Sequence, residues 1–343
     1  MSVKMVPVTE AVGMVLPHDM TEIVRGVRKG PAFKKGHVIT TDDIARLKNM
    51  GKNHIFALEL SEDEMHEDEA VLAMASVIAG PGIEYDPDPS EGKIAFRAAV
   101  DGLLQVDRDN LLKFNCLGEV MLATRHNNTV VSKGDTVGVG RAIPLIVPRV
   151  VIDQVVSIGR KAGGLIRTAP WKIHEASVIV TGQEVYEGRI KDAFGPVMEK
   201  KLEEFGVKVL SVTHVPDDIE IIKSEILSAA DAGAGLILCT GGMSVDPDDV
   251  TRLAVREAGT EDIVYGTPVL PGAMFLIGYL GNVPVLGIPA CGMYFKITVL
   301  DLLLPRILVG ERLDRRKIAA LGHGGLCLNC KTCRYPVCPF GKE

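Results

Sequence analysis

The chain has 343 residues, of which 47% are hydrophobic and 5% aromatic, and its formal net charge is -6. This length predicts two or three domains, and the apolar content is typical of a folded protein. An acidic chain with few aromatic side chains and no basic stripe is not expected to bind nucleic acid. The first ten residues lack the apolar core of a signal peptide, and no apolar run reaches the ~18 residues of a membrane span. We therefore expect a cytoplasmic protein without a membrane partner.

The N-terminal half predicts two small regions. Residues 1–80 are expected to form an α/β region, and an acidic segment in it opens with Ser61 and Glu64 at capping-box spacing. That spacing predicts the first turn of a helix. Prolines and glycines at 80–89 indicate a linker. Residues 90–148 then alternate short apolar runs with Gly-Asp turns, which predicts a β-rich module.

The same acidic segment admits a second interpretation. His66 with Glu62 and Asp63 supplies side chains that bind metal ions. Acidic residues in the first turn of a helix, however, are already explained by the helix dipole. We therefore expect a solvated helix face here.

The C-terminal half shows a regular alternation of apolar strand-like runs and helical patterns from residue 175 onward. Such alternation predicts an α/β domain over residues 170–312, with a parallel or mixed sheet covered by helices on both faces in three layers. Ligands of such domains bind beyond the carboxyl ends of the strands. Three loops fall at that edge, namely 182–192, 241–249 and 289–292.

A glycine-centred loop after one of these strands carries the clearest chemistry. Gly241 and Gly242 can adopt backbone angles that let N–H groups converge on a phosphate. Asp246, Asp248 and Asp249 follow and offer hard oxygen ligands. Because Mg²⁺ bridges protein carboxylates to substrate phosphates, the loop predicts a site for a phosphorylated small molecule.

Five short segments follow one another in this half of the chain: 180–184, 188–192, 215–218, 240–249 and 270–272. In this order they resemble the molybdopterin-binding domain of the molybdopterin molybdenumtransferases, a family that includes the catalytic end of gephyrin. The similarity is strongest over 177–310 and weaker in the N-terminal half. It implies a molybdopterin-binding α/β domain and a homodimer.

The resemblance also implies individual site residues. For the pterin these are Thr181, Gly182, Thr240, Gly241, Gly242, Ser244, Pro271 and Gly272. It implies catalytic roles for Asp249, Glu184 and Asp192, with Asp249 as the Mg²⁺ ligand. Local chemistry alone equally permits Asp192 to cap a helix and Asp248 to be a solvated turn acid.

Several positions depart from the family pattern. Gln183 stands where the family has Asp, and residues 193–194 replace Ser-Asn. Leu270 and Ala273 occupy the positions of two paired lysines, and the turn 289–292 replaces Pro-Gly-Asn-Pro. Lysine ammonium groups commonly clamp phosphates and stabilise charge in phosphoryl transfer, so pterin binding and pterin chemistry are separate expectations here.

Three functions are therefore considered. The leading hypothesis is molybdenum cofactor biosynthesis, in which the protein binds molybdopterin or its adenylate and promotes Mg²⁺-dependent insertion of molybdate. The alternative is a non-catalytic molybdopterin carrier or sensor that docks to a molybdoenzyme or exchanges electrons with it. A third is hydrolysis of another nucleotide or pyrophosphate, since a fold does not dictate its chemistry.

The C-terminal tail, residues 320–343, carries four closely spaced cysteines: Cys327, Cys330, Cys333 and Cys338. In a cytosolic protein such a cluster predicts a metal site rather than disulfides. Zinc accepts four thiolates, and iron–sulfur proteins use a C-x2-C-x2-C-x3-C run before proline, from which this chain differs by one residue in the last gap. Transient handling of a soft metal with His323, or a reduced tail without metal, are the other interpretations.

Overall fold

The computed structural model describes residues 3–24, 28–58, 61–244, 246 and 249–342. Asp248 lies outside the described residues, so its role in the acidic loop stays a prediction. The chain divides into two compact units, one comprising 1–100, 104–125 and 131–168, the other 101–103, 126–130 and 169–343. The predicted region 1–80 and most of 90–148 thus share one unit, and the tail belongs with 170–312. The finer predicted boundaries stay predictions.

The strands up to residue 169 are β1 Val3–Pro7, β2 Met20–Val24, β3 Arg28–Phe33, β4 His54–Leu58, β5 Glu64–His66, β6 Ile83–Tyr85, β7 Lys93–Ala98, β8 Gly102–Val106, β9 Val120–Thr124, β10 Thr129–Val131, β11 Thr136–Ala142, β12 Ile146–Pro148 and β13 Ile166–Ala169. The helices of this part are α1 Asp43–Asn49, α2 Glu67–Ile78, α3 Arg108–Asn115 and α4 Arg149–Ala162. Antiparallel pairs join β1 to β4, β2 to β3 and β5 to β12, and a four-stranded sheet has the order β6-β7-β11-β9.

The core of the first unit forms around α2. Ala70, Met74 and Ile78 recur at a spacing of four along this helix, so they share one face. All three are fully buried, together with Phe96 of β7 and Phe114 of α3. This burial of an apolar helical face against a sheet stabilises the unit.

The predicted start of α2 was wrong. The Ser61 N–H donates to the Glu64 carboxylate at 3.2 Å, as in half of a capping box, but Glu64 begins β5, which pairs with β12. The helix begins at Glu67 instead, after His66, whose ring accepts a hydrogen bond from the Asp68 N–H. Pairing with a strand distant in sequence overrides the local capping signal. The other ring nitrogen of His66 bonds the Pro17 carbonyl at 2.6 Å, so this histidine is a buried, hydrogen-bonded side chain.

The strands of the second unit are β14 Glu175–Thr181, β15 Lys208–Val215, β16 Ile237–Thr240, β17 Glu261–Tyr265, β18 Leu276–Leu280 and β19 Val283–Ile288. Its helices are α5 Gln183–Tyr186, α6 Gly195–Glu203, α7 Ile219–Asp231, α8 Thr251–Glu257, α9 Cys291–Tyr294, α10 Val299–Leu308 and α11 Arg315–Ala320. One sheet has the order β15-β14-β16-β19-β18-β17. The first four strands are parallel, whereas β18 and β17 are antiparallel, which confirms the predicted mixed sheet.

Successive residues of β16 show the three layers. Leu238 is buried in a cluster with Met198 of α6 and Leu303 of α10. Ile237 and Cys239 point to the opposite face, where they join a cluster with residues of α7 and α8. Because neighbouring side chains on a strand alternate between faces, both faces of this sheet are covered by helices. Among the described residues, no helix combines the length and apolar character that crossing a membrane requires.

Candidate functional site

A cleft of about 710 Å³ lies at the edge of the sheet where the parallel strands end. Its walls come from the loop after β16, from residues 270–274 before β18 and from residues 289–291 after β19. Phe295, Cys327 and Asn329 complete the lining. Two loops that the sequence places at this edge, after β16 and after β19, therefore contribute to one cleft.

The glycine loop lies directly on two threonines. Gly241 has a φ of 88° and Gly242 a φ of 57°, angles that other residues adopt at a cost. A Cβ at Gly241 would stand 2.6 Å from the Thr181 carbonyl oxygen, and one at Gly242 would overlap the hydroxyl of Thr251. Glycine is thus required at both positions by conformation and by space.

The threonine hydroxyls form the support beneath this loop. Thr181 donates to the Thr240 carbonyl at 3.0 Å, and its hydroxyl lies 3.1 Å from that of Thr251. The Thr240 hydroxyl is buried and has no hydrogen-bond partner within the described part of the chain. Thr181, Gly182 and Thr240 were predicted to contact the pterin, but none of them lines the cleft. Gly241, Gly242, Ser244, Pro271 and Gly272 do.

Met243 holds the loop against the sheet. Its side chain is 3% exposed and packs on Gly287 of β19, where any Cβ would overlap it. Its carbonyl accepts a hydrogen bond of 2.9 Å from the Tyr265 hydroxyl. The Arg252 guanidinium lies 4.4 Å from the centre of the Tyr265 ring, a cation–π contact. Sequence reasoning missed these supports, since each joins segments that are separate in the chain.

Two carboxylates stand together in the cleft lining. Asp249 accepts a hydrogen bond of 3.2 Å from the Asp246 N–H, and the Asp249 N–H donates to the Asp246 carbonyl at 3.0 Å. Both side chains belong to the loop after β16 and line the cleft. Asp246 is therefore available, like the predicted Asp249, as an oxygen ligand for a metal ion.

The other two predicted acids lie outside the cleft lining. Glu184 is exposed on α5. Asp192 accepts hydrogen bonds from the N–H groups of Phe194 at 2.7 Å and Gly195 at 3.0 Å, and its other oxygen lies 3.0 Å from the His214 ring. Burial alone raises the pKa of Asp192, but these hydrogen bonds and the nearby His214 outweigh it and hold the pKa below its ordinary value. Asp192 thus fixes the start of α6.

The charge of the cleft is negative. Among the lining residues that the structure describes, the charged side chains are those of Asp246 and Asp249, and none is a lysine, arginine or histidine. Leu270 and Ala273, which stand where paired lysines were expected from the family pattern, line the cleft with apolar groups. A phosphate bound here would depend on backbone N–H groups and on an added cation.

The tail pairs with a wall of the cleft. The Leu270 N–H donates to the Gly325 carbonyl at 2.9 Å, and the Cys327 N–H donates to the Leu270 carbonyl at 2.9 Å. Cys327 and Asn329 consequently line the cleft. The sequence carries no local signal for this, because the contact joins the tail to a segment more than fifty residues earlier.

All four tail cysteines, Cys327, Cys330, Cys333 and Cys338, line a second cavity of about 520 Å³. Within the described residues, no group of three or more histidine, cysteine, aspartate or glutamate side chains is placed to hold a metal ion. This holds for Asp249 as well as for the four tail cysteines. The predicted Mg²⁺ and tail metal sites are therefore not formed as compact single-ion sites in this structure.

Comparison with known proteins bears on the second unit. Residues 177–308 match a family model described as a probable molybdopterin binding domain. These residues are similar to molybdopterin-binding domains. Residues 5–59 match a domain of unknown function. The matched residues contain the glycine loop, the Pro271–Gly272 segment and Asp249, which all line one cleft.

Curated relatives match over short segments. A protein of Pyrococcus abyssi is 39% identical over 84 residues, which is 24% of this chain and 33% of that protein. A CinA-like protein of Thermosipho melanesiensis is 33% identical over 88 residues, 26% of this chain and 22% of that protein. The chain thus spans about a third and about a fifth of these relatives.

Solved structures match over a larger share of the chain than these curated relatives do. The protein CinA of Thermoplasma acidophilum, of unknown function, matches with 19% identity and a TM-score of 0.36, over 39% of this chain and 98% of that one. The molybdopterin biosynthesis enzyme MoaB of Thermus thermophilus matches with 22% identity and a TM-score of 0.35, over 40% of this chain and 98% of that one.

Proposed function

We propose that this protein binds molybdopterin or its adenylate in the cleft and acts in molybdenum cofactor biosynthesis by promoting Mg²⁺-dependent insertion of molybdate. One observation carries the proposal: the glycine loop and the Pro271–Gly272 segment of a molybdopterin-binding domain form walls of a single cleft. Its volume of about 710 Å³ is within the range of small-molecule sites. Its place beyond the ends of the parallel strands is where α/β domains bind ligands.

The loop supplies the polar contacts. The backbone N–H groups of Gly241 and Gly242 and the hydroxyl of Ser244 are available for the phosphate or dithiolene end of the pterin. Thr181 and Thr251 pack against Gly241 and Gly242 from beneath and restrict the conformations open to this backbone. Preorganisation of this kind lowers the entropic cost of binding.

Asp249 and Asp246 fit the ligand set that Mg²⁺ prefers at phosphates, which is one or two carboxylates with the remaining positions taken by water and substrate oxygens. The ion would neutralise pyrophosphate charge and orient molybdate. The protein's own residues would position the pterin and hold the cation beside Asp246 and Asp249. Glu184 and Asp192 lie outside the cleft lining, so this proposal assigns the cation to the Asp246 and Asp249 pair.

The acidic cleft also favours a second candidate function, a non-catalytic molybdopterin carrier or sensor. The described lining residues offer no cationic side chain that could stabilise charge in phosphoryl transfer. Backbone N–H groups suffice for binding. In a carrier or sensor, the tail would act as a docking or redox element for a molybdoenzyme.

Binding and turnover measured separately distinguish these functions. The enzyme is expected to bind molybdopterin and to release AMP from adenylated molybdopterin only with Mg²⁺ and molybdate present. Asp249→Asn is expected to lower this turnover at least 100-fold, whereas Glu184→Gln, which changes an acid outside the cleft lining, should leave it unchanged. A carrier binds pterin in both variants without turnover. Binding of nucleotides without pterin would overturn both functions and favour nucleotide hydrolysis.

The proposal extends to assembly and location. We expect a homodimer, as the family resemblance implies. We also expect a cytoplasmic location and a metal, zinc or an iron–sulfur cluster, on the four tail cysteines. Light scattering on the purified protein tests the dimer, and a monomer at micromolar concentration would contradict it.

A further inference from the structure

The C-terminal tail is a folded part of the second unit. Phe340, after the last cysteine, is 3% exposed and belongs to the main core cluster. Tyr335 donates a hydrogen bond of 3.2 Å to the Asp301 carbonyl of α10, and its ring contacts Phe340 at 6.4 Å between centroids. Leu326, directly before the first of the four cysteines, forms an isolated β-bridge with Leu270. The cysteine segment is therefore anchored at both ends.

The four cysteines share one cavity. Cys327, Cys330, Cys333 and Cys338 all line the space of about 520 Å³, and none of them forms a disulfide. A single zinc ion would draw four sulfur atoms to within roughly 4 Å of one another, given Zn–S bonds of about 2.3 Å. In an iron–sulfur cluster the thiolates bind around a larger inorganic core. Thiols that surround a cavity match the second arrangement.

The walls of this cavity are positively charged. Lys296, Lys331 and Arg334 line it, and the described lining includes no aspartate or glutamate. A thiolate-bound cluster is anionic, and nearby cations stabilise it. Phe295 and Ile297 add apolar surface to the lining. The adjoining cleft has the opposite charge, so the two cavities suit different occupants.

The spacing of the cysteines is compatible with an iron–sulfur cluster. The first three follow the C-x2-C-x2-C pattern of bacterial ferredoxins, and Pro339 follows the fourth cysteine as in those proteins. The last gap has one additional residue. Val337 in that gap is 87% exposed, so part of the longer segment lies at the surface.

We propose that Cys327, Cys330, Cys333 and Cys338 hold an iron–sulfur cluster that shares a wall with the pterin cleft. Cys327, Asn329 and Phe295 line both cavities, and they define this wall. The second half of the proposal rests on the proposed function, since it requires pterin in the cleft. The first half concerns the cysteines alone.

The test of the cluster uses the full-length protein, reconstituted anaerobically with ferrous iron and sulfide. We expect on the order of four iron and four sulfide per chain and a broad absorption band at about 400 nm. Cys333→Ser and Cys330→Ser should each lower bound iron severalfold. Cys116→Ser, an exposed cysteine of the other unit, and Cys291→Ser, in the pterin cleft, should retain it. Stoichiometric zinc without the band, or no bound metal, overturns the proposal.

Should the tail variants fail to fold, the wild-type protein still decides the matter. A reduced sample with the electron paramagnetic resonance signal of a cluster supports the site. Wild-type protein that folds, binds no iron and gives no such signal refutes it. A thermal unfolding curve for each variant identifies those that have lost structure.

The shared wall is tested by adding molybdopterin to the reconstituted protein. Binding is expected to shift the paramagnetic resonance spectrum of the reduced cluster, and Gly242→Ala should remove that shift while the iron content stays unchanged. If the cluster is intact but its spectrum does not change when pterin binds, the shared wall is refuted and the cluster is not. An intact cluster in a protein that binds no pterin refutes the proposed function and leaves the cluster in place.

Discussion

The hydroxyl of Thr181, at the end of β14, lies 3.1 Å from the hydroxyl of Thr251, the first residue of α8, although the two are 70 positions apart in the chain. The glycine loop lies on this pair, because neither Gly241 nor Gly242 has room for a Cβ above it. The conformation of the glycine loop therefore depends on a buried contact between hydroxyls that lie beneath the cleft.

Removal of the Thr251 hydroxyl should loosen the loop. Thr251→Val keeps the shape of the side chain but leaves Thr181 without its second partner, so we expect a loss of about 1 kcal/mol of unfolding free energy and weaker pterin binding. Thr240→Val is the matched control, since the Thr240 hydroxyl is buried and lacks a hydrogen-bond partner among the described residues. Its removal should be neutral or stabilising in chemical denaturation. Equal losses for both variants would contradict this account.

Gly242→Ala should affect binding more than an ordinary glycine substitution. The new Cβ would overlap the Thr251 hydroxyl, and the left-handed backbone adds roughly 1–2 kcal/mol of strain. Gly206→Ala is the control, since Gly206 has a similar φ of 69° but no atom within 4 Å of the new Cβ. Its loss of unfolding free energy therefore measures the backbone strain without the overlap. We expect pterin affinity to fall at least tenfold in Gly242→Ala and to be unchanged in Gly206→Ala. Titration of both proteins with molybdopterin measures the difference.

Glu67 should make stability depend on pH. Burial raises the pKa of Glu67 to about 7, from an ordinary value of 4.5, and the charge of Asp68 adds to this. The folded protein therefore binds this proton more tightly than the unfolded chain does. Its contribution to stability falls as pH rises from 4.5 to 7 and is constant above that.

Relative to Glu67→Gln, the wild-type protein is thus expected to lose about 2 kcal/mol between pH 5 and pH 8. Urea unfolding at several pH values measures this difference. Burial lowers the pKa of His18 and His66, which acts in the opposite direction, but both histidines are present in both proteins. A difference that does not change with pH would show that Glu67 ionises normally.

Phe340 should anchor the tail. Phe340→Ala removes a buried ring and is expected to cost about 3 kcal/mol locally, which frees the preceding segment. Trypsin should then cleave after Lys331 and Arg334, both exposed, at least tenfold faster than in the wild type. Val337→Ala, at a position 87% exposed, should leave the cleavage rate unchanged. Equal rates for all three proteins would mean that Phe340 does not restrain the tail.

Part of the candidate site follows from local sequence. A buried strand followed by Gly241 and Gly242 predicts a loop at the edge of the sheet. That Pro271 and Gly272 belong to the same site is implied by the family resemblance and not by local preferences. The structure brings these residues to one cleft together with Asp249. The strand and its glycine loop are predictable because strand and turn preferences act over a few residues.

Other predictions required knowledge of packing. Asp192 matches an acid of the family pattern, yet its carboxylate is engaged by the N–H groups at the start of α6 and by His214. Glu64 has the spacing of a helix cap, yet it begins a strand. For Glu64, pairing with the distant strand β12 decides between two locally acceptable roles. For Asp192, the nearby N–H groups and the distant His214 both engage the carboxylate.

The sequence by itself determined the alternation of strands and helices in the second unit, the mixed sheet and the identity of the glycine loop, because hydrophobic periodicity and glycine are local properties. The tertiary structure alone decided that Thr251 supports the loop, that Cys327 and Asn329 line the cleft, and that the four cysteines share a cavity. These relationships join residues distant in the chain, and burial and hydrogen bonding across the whole unit select them over the alternatives that local chemistry allows.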